Sequence, residues 1–183
     1  MSATTALCYR LAGPDDDDAI HRLNYATFVD EIPQHTPNAE RRLVDRFHAE
    51  NTYVLAIASH GLAGMVCGRC TRPFSLDGKL AALDGYLPPH RRAVEIRLLA
   101  IDPRHRKSAV FGRLMAMLCA HFVNLSCDLA LISGTVGQLP LYRHLGFQPF
   151  AAPVGSLAAS YQPMYLTLDA LRDSATGRAW MDA

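Results

Sequence analysis

Tyr142, Glu95, Arg97 and the run Arg104-His105-Arg106-Lys107 are the residues whose types and spacing could do chemistry. A phenol carries a hydrogen-bonding proton at neutral pH, so Tyr142 can act as a proton donor. Glu95 lies in the apolar stretch Val94–Ile101, which reads as a strand. A carboxylate there is costly unless it has a partner or a task. Alternation puts it on the face it shares with Arg97 and Leu99. Glu95 is therefore either a base or half of an internal pair with Arg97 or Arg92. The strand runs into the basic turn, and a long helix follows from Ser108. Positive charge and free amides at a helix start make a place to hold a phosphorylated carrier.

Other candidates read as structural. Cys67-Gly-Arg-Cys70 has the spacing of a metal or redox motif, but it falls in an expected strand. Side chains at i and i+3 of a strand point to opposite faces, and no second cysteine pair follows. Both read as structural thiols. His60, His105, His121 and His144 show no ligand-like spacing, whereas His90 is placed to reach an acceptor at the end of a long loop. Asp15 to Asp18 fall in the first turn of a helix, where carboxylates complement the helix dipole. No metal site is expected.

The 183 residues, half of them apolar, suit one domain. A chain of this size buries about 70 % of its unfolded surface and needs no staples. The formal net charge of +1 argues against a dedicated nucleic-acid binder. No basic-then-apolar leader opens the chain, and no apolar run approaches the roughly 20 residues of a membrane span. Five scattered cysteines suggest reduced thiols and a cytoplasmic location.

These residues must be positioned by the elements around them. Leu7–Leu11 reads as a strand, and a helix follows with Ile20, Leu23, Thr27, Phe28 and Ile32 at helical spacing. A second helix is expected from Pro37, with Asn38 as N-cap and Leu43, Val44 and Phe47 buried. Tyr53–Ala58 and Leu62–Val66 form a hairpin around His60-Gly61. Thr71–Arg92 is long for a loop but carries Phe74, Leu76, Leu80, Leu83, Tyr86 and Leu87, so it reads as an ordered flap over a pocket. Then come a helix over Ser108–Leu125, a strand over Leu129–Ser133, and a short helix over Leu139–Leu145 ended by Gly146. Phe150–Pro153 and Met164–Leu168 are the last strands. The order predicts an α+β fold, layered α/β/α, with a mixed, mostly antiparallel central sheet and helices on both faces. Residues 1–171 form the domain, and 172–183, with Trp180, a peripheral tail.

The stretch Ala93–Phe147, ending in Tyr142-Arg-His-Leu-Gly146-Phe147, resembles the core of the GNAT-type N-acyltransferases. Two segments are similar to the acyl-homoserine lactone synthase and N-acyl amino acid synthase branch. Asn24-Tyr-Ala-Thr-Phe-Val-Asp-Glu31 resembles its Arg-Tyr-x-x-Phe-x-x-Glu helix. Glu95-Ile-Arg-Leu-Leu-Ala-Ile101 resembles its Glu-x-Ser-Arg-Leu-Ala-Val strand, with the arginine one place early at Arg97.

The resemblance implies transfer of an acyl group from an acyl thioester to the amine of a small molecule, such as an amino acid, by direct attack. Tyr142 would be the acid and Glu95 the base. The backbone of Leu99, Ala100 and Ile101 would hold the donor's arm. The phosphate turn of such enzymes, Arg/Gln-x-x-Gly-x-Gly/Ala, aligns with Arg106, Lys107, Ser108, Ala109, Val110 and Phe111. Arg106 matches, Ala109 and Phe111 replace the glycines, and Gly112 comes one residue late. Arg97, Phe28, Tyr86 and Thr135 would line the acceptor site. No tightly bound cofactor is implied. The co-substrate is acyl-CoA or the phosphopantetheine of an acyl-carrier protein, which would then be a partner. A homodimer is compatible with the sequence. The competing reading is a catalytically silent GNAT-shaped module that keeps the carrier site.

Overall fold

The computed structural model describes residues 7–156 and 159–181; the last two residues of the expected tail lie outside them. The chain divides into two compact units. One comprises the chain up to Gly68 with Leu98–Leu118; the other comprises Arg69–Arg97 with the chain from Cys119 onward.

In the first unit, β1 (Cys8–Leu11) pairs antiparallel with β2 (Thr52–Ala58), which turns at Gly61 into antiparallel β3 (Gly61–Arg69). Gly61 carries a φ of 120°, which a side chain would strain. Helix α1 (Asp17–Tyr25) begins in the expected carboxylate run. Asp16 takes both terminal nitrogens of Arg10, at 2.6 and 2.7 Å, and the Gly13 amide at 2.7 Å. The Arg10 hydrogen bonds hold its carboxyl below the usual range. Ile20, Tyr53, Leu55, Met65, Cys67 and Ala100 form the core of this unit. β4 (Ala93–Ile101) contributes its second half here, and α2 (Val110–Asn124) its first turns.

Two expectations fail in this unit. After α1 the chain widens into a π-helical turn, Ala26–Glu31, so the 3.6-residue spacing is lost and Ile32 is left 39 % exposed. The second helix does not form. Arg41 has a φ of 51°, and Val44 is 56 % exposed. The Asn38 side chain donates to the Arg42 carbonyl at 2.9 Å and accepts from the Arg42 amide at 3.3 Å. An asparagine that satisfies its own loop in this way competes with the helix it was expected to cap.

In the second unit, the first half of β4 runs parallel to β5 (Leu129–Thr135), and α3 (Leu139–His144) follows. β6 (Gln148–Pro149) and β7 (Val154–Ser156) both pair antiparallel with β8 (Ala159–Thr167), which also spans β5 from Leu129–Thr167 to Thr135–Tyr161. The strand expected at Phe150–Pro153 is instead the link between β6 and β7, and Pro149 and Pro153 remove ladder donors on either side of it. The expected peripheral tail is helical. α4 (Leu168–Asp173) is capped by the Thr167 hydroxyl, which accepts from the Ala170 amide, and α5 (Ala175–Met181) buries Trp180. Gly177 allows that packing, because a Cβ there would overlap the Leu171 carbonyl.

Among the described pairings within each unit only β4 with β5 is parallel, so the mixed, mostly antiparallel α+β arrangement is as the element order predicted. Helix α2 starts two residues later than expected, at Val110, whose amide donates to the Ser108 hydroxyl at 3.3 Å; Leu125 is exposed past its end.

Gly146 ends α3 with a φ of 95°, and a Cβ there would lie 3.2 Å from Leu166 Cδ1. Gly146→Val should cost about 1–2 kcal/mol from the left-handed backbone alone. That predicts a melting temperature lower by roughly 2–8 °C, and an unchanged value would reject the cap.

Candidate active site

The ladder between β4 and β5 joins Ala93 to Leu129, Val94 to Ala130 and Glu95 to Leu131, and goes no further. Ile96 and Arg97 continue β4 while β5 runs on to Thr135, so the two strands stop sharing hydrogen bonds at Glu95. Residues in register share a face, and so do alternate residues along a strand. Glu95, Arg97, Leu131 and Ser133 therefore lie on one face of this opening.

Glu95 has no exposed surface. Its Oε1 accepts the Ser75 amide at 2.8 Å and also the Ser75 hydroxyl. Its Oε2 lies 3.8 Å from Arg97 Nε, within ion-pair reach but with no hydrogen-bond donor among the described residues. The Arg97 side chain is 16 % exposed. The Ser133 hydroxyl is likewise buried without a partner. Buried polar atoms are almost always paired, so two orphans on one face where a ladder ends need an explanation.

Ser75 belongs to the segment expected as a flap, and its anchoring is strong. Phe74, Leu76 and Leu83 are buried with Ala93, Leu129 and Leu131 in the core of this unit. Arg72 pairs with Asp77 and Asp84, the Phe74 amide donates to Asp77 Oδ2 at 2.6 Å, and Arg69 donates to the Pro73 carbonyl at 2.7 Å. The segment is thus part of the core. Tyr86 is 47 % exposed, with its ring 6.2 Å from that of Phe150. Thr135, half-buried, ends β5. His90 Nδ1 sits 2.9 Å from the Pro88 carbonyl.

Tyr142 lies on α3, held by the turn that follows it. The Phe147 amide donates to the Tyr142 carbonyl at 3.0 Å, Gly146 takes the left-handed turn, and Phe147 is buried. The tyrosine ring covers Gly134 of β5, where a Cβ would come 2.6 Å from Tyr142 Cε2. Gly134 alternates with Ser133, so Tyr142 sits on the face of β5 opposite the one that carries Ser133 and Leu131. The carboxylate and the phenol are brought to the same strand pair, one on each face.

The expected donor residues belong to the first unit. Leu98 has a φ of 52° inside β4, a strained conformation for leucine that re-aims the backbone just before Leu99, Ala100 and Ile101. Gly64 of β3 allows close approach there, since a Cβ would lie 3.3 Å from the Ala100 carbonyl and 3.1 Å from Val110 Cγ1. Arg106 has a different partner from the one expected. Its Nε donates to the Ile101 carbonyl at 2.9 Å and its terminal nitrogens grip Glu31, one at 2.6 Å. Those hydrogen bonds hold the Glu31 carboxyl below its usual range. Arg104 is likewise engaged by Asp102, at 2.9 and 2.7 Å. Lys107, Ser108 and Ala109 are exposed, and Phe111 and Gly112 half-buried. Phe28, in the π-helical turn, packs half-buried against the core.

Sequence reasoning missed Ser75, Ser133, Gly134 and Gly64. Only the glycines left a signal, as isolated glycines within strands. It also missed a polar network in which His48 lies 3.2 Å from both Tyr53 Oη and Asp17 Oδ1, beside the His21 ring. Cys70 Sγ sits 3.2 Å from Cys127 Sγ, while Cys67 is buried in the core of the first unit. Among the described residues no group of three or more His, Cys, Asp or Glu could hold a metal ion, and no helix is long and apolar enough to cross a membrane.

Comparison with solved structures shows a GNAT-like fold. FeeM, an N-acyl amino acid synthase from uncultured soil microbes, superposes with a TM-score of 0.71 and 17 % identity, over 96 % of this chain and 98 % of that one. BjaI, a CoA-dependent acyl-homoserine lactone synthase solved with SAM and isopentyl-CoA, gives a TM-score of 0.73 and 18 % identity, over 97 % and 92 %. The acyl-homoserine lactone synthase LasI gives 0.68 and 14 %, over 98 % and 96 %. No curated protein matches the chain. The family model of the N-acyl amino acid synthase FeeM matches residues 19–167, and the chain belongs to that family. It is an acyltransferase.

The turn between β4 and α2 makes a pH-dependent prediction. Hydrogen bonds from Arg104 lower the Asp102 pKa from 3.8 to about 2. A depressed carboxylate contributes stability that is present above its unfolded pKa and lost as pH falls through the folded one. Asp102→Asn should therefore cost about 1–2 kcal/mol at pH 7, after allowance for partial exposure. Denaturant titrations should show that difference closing between about pH 4 and about pH 2. A difference independent of pH would mean the charge contributes nothing.

Proposed function

We propose that the protein transfers an acyl group from a phosphopantetheine thioester to the α-amino group of an amino acid, by direct attack. One observation carries this reading: a fully buried carboxylate with one unpartnered oxygen sits beside a largely buried guanidinium where β4 and β5 stop pairing. An α-amino acid needs both groups, a base for its ammonium and a cation for its carboxylate. Membership of the N-acyl amino acid synthase family supports the same substrate class.

In this mechanism Arg97 anchors the acceptor carboxylate, and Glu95 removes the amine proton. Because Glu95 has no exposed surface, the proton reaches Oε2 through one bridging water. The amine nitrogen attacks the thioester carbonyl, the carbon–sulfur bond breaks, the departing thiolate takes the Tyr142 proton, and the second proton lost by the nitrogen passes through solvent to restore the phenol. Base and acid on opposite faces suit a thioester that threads the opening, with amine on one side and sulfur on the other. Backbone groups of Leu99, Ala100 and Ile101 hold the pantetheine arm. Lys107 and the positive end of α2 near Ser108 to Gly112 receive phosphate, while Arg106, gripped by Glu31, shapes the turn. Tyr86 and Thr135 line the acceptor end. Residues 1–171 act as one catalytic domain, extended by the C-terminal helices. Acyl-CoA and acyl-carrier protein present the same phosphopantetheine chemistry.

The test is product formation, followed by mass spectrometry, with acyl-CoA and acyl-carrier protein of graded chain length as donors. Acceptors are amino acids and the corresponding amines lacking the carboxylate. Amino acids should be acylated at least about tenfold better, and Arg97→Ala should erase that preference by raising the KM of the amino acid alone. Equal rates with the decarboxylated amines, or no product from any thioester, would overturn the reading.

Tyr142→Phe should lower kcat by about one to three orders of magnitude with donor affinity retained. Gly134→Ala should displace the same ring and cost about tenfold or more without unfolding the protein. Wild-type turnover in Tyr142→Phe would remove Tyr142 as the acid.

A further inference from the structure

A buried carboxylate is useful as a base only if one oxygen is held and the other is left for the substrate. Glu95 meets that condition through one residue. Ser75 supplies both a backbone amide and a hydroxyl to Oε1, and Oε2 receives neither. Arg97 Nε, at 3.8 Å, faces Oε2 from the same strand and stands too far for a hydrogen bond. Ser75 cannot drift. Its neighbours Phe74 and Leu76 are 3 % and 0 % exposed, and Arg72 fastens the segment to Asp77 and Asp84. Both donors of Ser75, amide and hydroxyl, go to one oxygen, while the other has only the longer ion-pair contact with Arg97.

We propose that Ser75 is a positioning residue for acyl transfer, clamping Glu95 Oε1 so that Oε2 is presented to the amine proton. This rests on the reading of Glu95 as the base. Both hydrogen bonds of the clamp are accepted by Oε1. They fix the direction in which the proton is received.

The experiment is the pH dependence of kcat/KM for the full-length wild type, Ser75→Ala, Ser75→Thr and Glu95→Gln, with active protein titrated in each. Ser75→Ala should move the acid limb of the profile up by about half to one pH unit, in the sense expected when a hydrogen bond to the charged form is lost. It should also lower kcat about tenfold with the donor KM unchanged. Ser75→Thr, which keeps the hydroxyl, should restore the limb. A purely structural role would scale the rate equally at every pH and leave the limb in place. If Ser75→Ala does not fold, Ser75→Cys keeps the volume with a weaker donor and should show the same direction of shift. An acid limb unmoved in Ser75→Ala or Ser75→Cys but abolished in Glu95→Gln overturns the clamp and leaves Glu95 as the base. A wild-type profile in Glu95→Gln overturns the base, and the clamp with it.

Discussion

Burying the Glu95 carboxylate is the constraint around which the second unit is organised. An ionised group with no exposed surface costs several kcal/mol unless it is paired and hydrogen-bonded. The structure offsets that cost by bringing a distant segment to it. Ser75 lies twenty residues earlier in the sequence and reaches Glu95 because Phe74, Leu76 and Leu83 enter the same core as Leu129 and Leu131. The apolar residues of the Thr71–Arg92 segment and the polar requirement of the strand are met by the same fold of the chain. The stability of this segment and the chemistry of the strand are therefore coupled.

A similar economy governs the first unit. The basic run before α2 reads as a cluster of free cations, yet Arg104 serves Asp102 and Arg106 serves Glu31 and the Ile101 carbonyl. The guanidinium of Arg106 is a fork that matches a carboxylate as well as it would a phosphate. Its engagement with the π-helical turn joins the end of β4 to the element that carries Phe28. Both guanidiniums are thus committed to carboxylates, unlike the free basic turn that the sequence suggests.

The sequence made the central elements legible because their patterns are long and strongly periodic. β4, α2, β5 and α3 were all readable, as were the hairpin at Gly61 and the stop at Gly146. It misled where few apolar residues stood among many charges, as at residues 37–47, where the local hydrogen bonds of Asn38 prevailed over helix propensity. The candidate site was legible residue by residue but not in its pairings. Glu95 and Tyr142 stood out by type and place. Ser75 carried no signal, since a serine between two apolar residues is ordinary, and only the fold of the segment brings it to the carboxylate. Partner choice for Arg106 was hidden for the same reason: Glu31 is far away in sequence, and only tertiary structure selects it.

The division of the candidate groups between two faces follows from the end of one ladder. While β4 and β5 stay paired, their backbone groups satisfy each other and nothing can pass between them. Pairing ends at the rung that carries Glu95, and the strained Leu98 follows three residues later. Beyond that rung, Glu95 Oε2 and Ser133 Oγ, both without a hydrogen bond among the described residues, lie on one face, and Tyr142 covers the other through a glycine that must be small. A ladder extended by two more pairs would bury the same residues and separate the phenol from the carboxylate by a closed sheet. The register of three residue pairs, more than any single side chain, sets which groups share a face here.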